Sequence, residues 1–315
     1  MAQVEQAFYA LLFRADSALH GVLERNDALR NADATLVAWT TKVLGEQHPM
    51  SQQLPLVSPS LFLFFFTFYI VFVALLCPLL ALVRGDKNKP VTVRITGTKR
   101  VYNAFMVALS FYMGTKTLVL AAQGFDSVWC VPMTDGEHGK AMAWMAWIFT
   151  YSKVLEFFDS ISMAIEGRWR QLSFLHTYHH VSIWIYWYAI LWLAPGSDGY
   201  FSLALNSYIH VVMYLYYFLT SFEAVQNGPN YKFISSMREW LNKYKFYVTK
   251  MQIAQFCSFV GQSIYVGYYR TGCDFPDGLS KGLLWYMISL ITLFLNFMFM
   301  SGRKGGKAKG AKKVE

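Results

Sequence analysis

Seven apolar runs alternate with shorter polar or basic stretches along the chain. Leu61 to Val83 is the clearest, with no charged residue anywhere in it. The others fall at about Val101–Ala122, Ala141–Ile165, Leu172–Ala194, Gly199–Phe222, Phe246–Tyr269 and Leu283–Met300. A helix rises 1.5 Å per residue, so about 20 residues cross the hydrocarbon of a bilayer. Turn signals such as Pro195-Gly196 and Gly228-Pro229 punctuate the runs. The pattern predicts an all-α membrane protein with seven transmembrane helices. Residues 1–57 do not read as a signal peptide, because Glu5 comes early and no basic segment precedes an apolar core. They read as one or two amphipathic helices resting at the membrane interface. The expected organisation is an amphipathic N-terminal segment over 1–57, a seven-helix domain over 58–300 and a basic tail over 301–315.

Composition agrees. Of 315 residues, 55% are hydrophobic and only 15% charged. Soluble domains carry roughly a quarter of their residues as charge, so this chain cannot cover a soluble surface. The same numbers exclude disorder. The net charge of +9 does not point to nucleic acid, because the basic residues sit in short blocks between apolar runs. Placing the loops 84–100, 166–171 and 223–245 and the tail 301–315 on one side gives that side 18 Lys and Arg, against 7 on the other. By the positive-inside rule the C-terminus is expected in the cytosol and the N-terminus in the lumen.

Polar groups inside the runs are where function is expected, because each is costly in lipid. The third run holds Lys153, Glu156 and Asp159; the fourth holds His176, His179 and His180. The fifth carries Asn206 and His210, followed by Tyr214 and Tyr217, and the sixth Thr249, Gln252 and Gln255. Spacings of three and four place each set on one helical face. Helix rise puts Lys153 and His210 roughly 18 Å from the cytosolic end, His179 roughly 10–13 Å and Gln255 roughly 13 Å. The four clusters converge on one layer, which implies a buried polar chamber. Polar residues gluing helices together would explain any one cluster but are a poor account of four.

Two chemistries suit such a chamber. Histidines at i, i+3 and i+4 are a metal-ligand spacing, as in His-rich membrane desaturases and hydroxylases. Of the seven histidines, however, His20, His48 and His138 fall outside the runs on the other side. The remaining four are too few for a di-iron site, although one zinc or iron stays open. The other chemistry is metal-free acyl transfer: a neutral imidazole attacks a thioester, and neighbouring histidines and amides stabilise the oxyanion. Lysine at the cytosolic mouth suits an anionic substrate, and the apolar bundle suits a long acyl tail. A seven-helix receptor needs no such chamber, and a retinal protein would need a lysine in the last run, which has none.

Four motifs in order resemble those of the ELO family, the condensing enzymes of very-long-chain fatty acid elongation, over about residues 60–300. KxxExxD matches Lys153, Glu156 and Asp159, with Ser160 where the family has threonine. HxxHH matches His176, His179 and His180; NxxxHxxMYxYY matches Asn206, His210, Met213, Tyr214, Tyr216 and Tyr217; TxxQxxQ matches Thr249, Gln252 and Gln255. The resemblance implies the reaction of acyl-CoA with malonyl-CoA to give 3-oxoacyl-CoA, CO2 and CoA. It implies six helices in two inverted three-helix units around an acyl tunnel, plus one extra helix. It also implies ping-pong transfer through an acyl-imidazole on His179, with His210 facing it and assisting the malonyl half-reaction. His176 and His180 are expected to supply orienting hydrogen bonds. Lys153, Glu156, Asp159, Asn206, Tyr214, Tyr217, Gln252 and Gln255 are expected at the substrates.

No metal or redox cofactor is implied; NADPH belongs to later steps on a ketoacyl reductase, a dehydratase and an enoyl reductase. Membrane lipid is an expected partner, nucleic acid is not, and homodimer formation is left open. Gln171 ahead of the box and Tyr178 inside it resemble the branch acting on polyunsaturated chains. Cys130 and Cys273 fall in loops that the charge count places outside the cytosol, so a disulfide between them is expected. Cys77 and Cys257 lie within runs and read as free packing thiols. Lys312 and Lys313 sit four and three residues from the end and resemble a dilysine signal for the endoplasmic reticulum.

Overall fold

The computed structural model describes residues 2–83, 94–222, 230–270 and 272–311. It is helical throughout, with no strand among the described residues. The first three helices are α1 (Ala2–Glu24), α2 (Asp27–Leu44) and the single turn α3 (Pro49–Gln52). The first apolar run forms α4 (Pro59–Val71), a π-helical turn over Phe72–Leu76, and α5 (Cys77–Val83). Then come α6 (Thr96–Gly124), α7 (Gly136–Leu155), α8 (Phe157–Ile165), α9 (Phe174–Leu193) and α10 (Gly199–Thr220). The last two are α11 (Tyr231–Ile264), closed by a π turn over Tyr265–Tyr269, and α12 (Asp277–Ala311).

Several helix starts have a local cause. Ser58 accepts from the Ser60 N–H ahead of Pro59, Asn26 from Ala28 and Leu29, and Ser173 from His176. His48 caps α3 by accepting from Met50 through Nδ1, which requires that nitrogen unprotonated; burial lowers its pKa and so favours the neutral ring.

Six helices form a closed ring: α7 packs on α9, α9 on α12, α12 on α11, α11 on α10, α10 on α6, and α6 back on α7. The α6–α10 contact is the most extensive. It depends on Gly114, where a Cβ atom would stand 3.1 Å from the Tyr208 ring and 3.3 Å from Ser207. α4 stands outside the ring against α9, where Phe62 stacks on Trp184 and Tyr188. The segment before α4 straps α7: Trp147 donates to the Pro55 carbonyl, Tyr151 to the Leu56 carbonyl, and Leu56 N–H to Asp16 of α1.

Among the described residues, three helical stretches are long and apolar enough to cross a membrane on composition alone: Pro59–Leu82, Thr96–Gly124 and Asp277–Met300. The other ring helices carry the buried polar clusters, which lowers their mean hydropathy.

Several details depart from the expected pattern. The third run is not one continuous helix: it breaks at Glu156, so Lys153 lies on α7 while Asp159 and Ser160 lie on α8. α11 starts at Tyr231, well before the predicted Phe246, because good helix formers such as Lys, Met, Arg and Leu fill the intervening stretch. α12 continues past Met300 into the Lys- and Ala-containing tail. Cys77 is buried as expected, but Cys257 is exposed. It falls on the outward face of α11, whose inward positions are taken by Gln255, Phe256 and Phe259. Lys312 and Lys313 lie outside the described residues.

Candidate active site

The site is built where the break after α7 meets the first turns of α9 and the second half of α10. Lys153 and Glu156 are each about 1% exposed. The Lys153 ammonium donates to Glu156 Oε1 at 2.7 Å and to Asn206 Oδ1 at 3.2 Å, and lies 4.0 Å above the Phe149 ring. His210 Nδ1 is 3.1 Å from the same Glu156 oxygen. One carboxylate oxygen therefore fixes a cation and an imidazole together. With Nδ1–H donated to Glu156, the lone pair of His210 sits on Nε2.

A second set surrounds Asp159. Tyr214 donates to its Oδ2 at 2.8 Å and Tyr102 of α6 at 3.3 Å, and the two hydroxyls are 3.2 Å apart. A third set runs from Tyr69 of α4 to Ser160 at 2.9 Å, and from Ser160 to His176 Nε2 at 2.8 Å. His176 and His180 meet edge to face at 4.5 Å, and His180 lies 5.6 Å from His179.

Some polar atoms here have no hydrogen-bond partner. They are Nδ1 of His179, Nδ1 of His180, and both the Nε2 and Oε1 of Gln255, all enclosed. An enclosed amide with neither atom paired costs several kcal/mol unless a ligand completes it. His179 as a whole residue is half-buried although its Nδ1 is enclosed, and it lies within electrostatic reach of Glu156, Lys153 and His210. No group of three His, Cys, Asp or Glu side chains among the described residues gathers as metal ligands would.

The arrangement thus offers one imidazole oriented by a carboxylate, two further imidazoles each with an unpaired Nδ1, and an unfilled amide. Enclosed hydroxyls are unpaired elsewhere on the ring helices, at Ser110, Thr117, Ser207 and Ser263, but here the unpaired atoms belong to groups that can accept a proton or hydrogen-bond a substrate oxygen. Sequence comparison then identifies the family. The GNS1/SUR4 (ELO) family model matches residues 54–310. The chain belongs to the ELO family. It is 36% identical over 200 residues to "Fatty acid elongase 6" of Leishmania major, which covers 63% of this chain and 50% of that protein. It is 33% identical over 218 residues to the human "Very long chain fatty acid elongase 4", covering 67% of this chain and 64% of the relative. The mouse "Very long chain fatty acid elongase 2" is 31% identical, with 69% and 70% covered. The chain therefore spans between half and two thirds of the length of the first two relatives.

Within this ELO chain the predicted residues distribute unevenly. Lys153, Glu156, Asn206 and His210 form one connected cluster, Asp159 and Tyr214 a second, and the three box histidines a third. Gln255 is enclosed, while Gln252 one turn earlier is half-buried. Tyr217 is 41% exposed and meets the site through its edge contact with Tyr214 and its nearness to Asp159. Cys130 and Cys273 form a disulfide with Cα atoms 5.1 Å apart.

Two contributors were missed from the sequence. Tyr69 is one of only two hydroxyl-bearing residues in the otherwise apolar first run, a signal that was available. Tyr102 sits at the start of the second run, where interfacial tyrosines are ordinary, so nothing marked it.

Proposed function

We propose that the chain is a condensing enzyme of fatty acid elongation, a 3-oxoacyl-CoA synthase. Acyl-CoA first transfers its acyl group to an imidazole, which breaks the thioester and releases CoA. Malonyl-CoA then loses CO2, and the electron pair left on its C2 attacks the acyl carbon and expels the imidazole. The product is 3-oxoacyl-CoA, two carbons longer. The observation that carries this is a histidine box with unpaired Nδ1 atoms on His179 and His180 beside a His210 whose Nδ1 is held by Glu156, with the motif match selecting His179. His179 is the acylated nucleophile, and His210 Nε2 serves the malonyl half-reaction. The Gln255 amide is available for the thioester oxygen, and Lys153 balances the Glu156 charge. Asp159, Tyr214 and Asn206 hold the walls, while Gln252 and Tyr217 act farther out on the substrate path.

In this reading the six-helix ring forms the acyl tunnel. Its order, α6-α7-α9 followed in reverse by α12-α11-α10, supports two inverted three-helix units with α4 as the extra, seventh span. The Cys130–Cys273 disulfide supports an oxidising compartment for that end, hence a lumenal N-terminal segment, a cytosolic C-terminus and residence in the endoplasmic reticulum. The enzyme needs no metal or redox cofactor of its own and hands its product to a ketoacyl reductase, a dehydratase and an enoyl reductase. Gln171 and Tyr178 favour polyunsaturated acyl-CoA. The desaturase or hydroxylase alternative is not favoured, since the matching family and relatives carry elongase names.

The test is incubation of membranes containing the chain with labelled malonyl-CoA and a panel of saturated and polyunsaturated acyl-CoAs. Labelled 3-oxoacyl-CoA is expected, most with polyunsaturated acyls. Absence of malonyl carbon from every product would reject the reaction; equal use of all acyls would reject only the substrate preference.

A further inference from the structure

α4 stands outside the ring, and most of its surface is apolar: Phe64 and Phe68 are 61% and 43% exposed. Tyr69 is the exception, at 1% exposure. Its ring stacks on Phe157 at 4.3 Å and approaches His180 at 5.9 Å. The π turn after it preserves this docking. One extra residue in the turn leaves Phe72 and Cys77, five apart, both buried together with Tyr69, where regular α-helical spacing would be three or four. The helix is thus registered to keep a single hydroxyl aimed into the bundle.

That hydroxyl joins a chain of three groups, and Thr177 of α9 also lies within its hydrogen-bond reach. Tyr69 reaches Ser160 Oγ, and Ser160 Oγ reaches His176 Nε2. Ser160 is fully enclosed. A serine has one proton, so it donates in only one of the two directions. The phenol is the better donor of the two hydroxyls. The consistent head-to-tail order runs Tyr69 O–H to Ser160, then Ser160 O–H to His176 Nε2. This order leaves the His176 proton on Nδ1.

We infer that Tyr69 is a positioning residue: acting through Ser160, it fixes the tautomer and ring orientation of His176. His176 in turn fixes the rings of the box, through its edge contact with His180. The inference rests on the proposed condensation only for the reaction that is slowed; the tautomer assignment stands apart from it.

The test uses the full chain in detergent or bilayer, with the variants Tyr69→Phe, Ser160→Ala, their double mutant and Ser160→Thr. Condensation turnover is expected to fall about tenfold in Tyr69→Phe and in Ser160→Ala, with the acyl-CoA KM unchanged. The double mutant is expected to be no worse than Ser160→Ala alone, because both remove one relay. Ser160→Thr keeps a hydroxyl and is expected to stay within about twofold of wild type. Histidine nitrogen chemical shifts give an activity-free readout: His176 is expected to carry its proton on Nδ1 in wild type and in Ser160→Thr, and to lose that single tautomer in Tyr69→Phe. Additive losses in the double mutant, or an unchanged His176 spectrum in Tyr69→Phe, would overturn the relay. If wild type itself fails to condense, the functional reading falls, and the spectra alone decide the relay.

Discussion

α9 and α10 each have two differently finished ends. At the histidine end, buried polar groups are left unpaired: Nδ1 of His179, Nδ1 of His180 and the whole Gln255 amide. At the other end the Asp198 carboxylate, about 1% exposed, accepts the backbone N–H of Cys130 and of Val131. The Asp198 carbonyl accepts from Gln262, Ser197 donates to the Val131 carbonyl, and a disulfide ties the adjoining loops. About 18 Å of helix separates Asp198 from His210. The Asp198 network pairs its own groups internally, as structural polar networks do, although the neighbouring Trp129 Nε1 and Ser263 Oγ are enclosed without a partner. At the histidine end the unpaired atoms are ring nitrogens and a whole amide, which a bound molecule or water would complete. What separates the two ends is the chemistry of the unpaired groups, not their mere presence.

The sharpest test of this contrast removes the unpaired histidine. His179→Ala is expected to abolish acyl-enzyme formation and condensation, by about a thousandfold or more, while leaving the melting temperature within a few degrees. Incubation with acyl-CoA alone, followed by mass analysis for an acyl adduct and assay of released CoA, checks it.

Next comes the paired part of the same end. Glu156→Gln leaves Lys153 as a buried cation without its counter-charge and loosens His210. A loss of about a hundredfold in turnover is expected, accompanied by about 3 kcal/mol of destabilisation, because breaking a buried ion pair strands a charge. Turnover and thermal unfolding are measured together. A variant that loses activity with full stability would contradict the shared-oxygen geometry.

The opposite end should behave in reverse. Cys273→Ser opens a loop of 143 residues between the bridged cysteines. It is expected to cost up to about 5 kcal/mol in stability on the chain-entropy account, yet to retain turnover within about twofold at low temperature. Unfolding in detergent against assay at a permissive temperature separates the two.

The smallest effect is one of pH. Burial pushes the Asp198 pKa up to about 6, above its ordinary value near 4. Between those values the folded state binds the proton that the unfolded state has lost. Stability from this group is therefore highest below about pH 4 and falls as pH rises towards 6. Asp198→Asn is expected to remove that slope, measured as melting temperature against pH, with little change in turnover.

Much of this contrast was legible beforehand. Lys153, Glu156 and His210 could be placed in one layer by counting helix rise, because long apolar runs fix depth well. The disulfide partners could be paired by topology, since both cysteines fell in loops on one side. Three features could not be read. The break at Glu156 depends on tertiary satisfaction of a buried carboxylate rather than on any breaker residue in KVLEFFDS. The ring order depends on which helix faces meet, and α9 and α10 are apolar nearly all round. The early start of α11 was hidden because hydropathy marks where lipid begins, not where a helix does.

The disulfide carries one more consequence, in the time it takes to make the chain. Cys130 is synthesised 143 residues before Cys273. At 5–20 residues per second that interval is roughly 7–30 seconds. For that period the Cys130 thiol has no native partner; Cys77 is already made, and Cys257 follows only 16 residues before Cys273. In an oxidising compartment a nascent chain caught in this window would be open to mixed disulfides at Cys130, which places that exchange on the loop before α7.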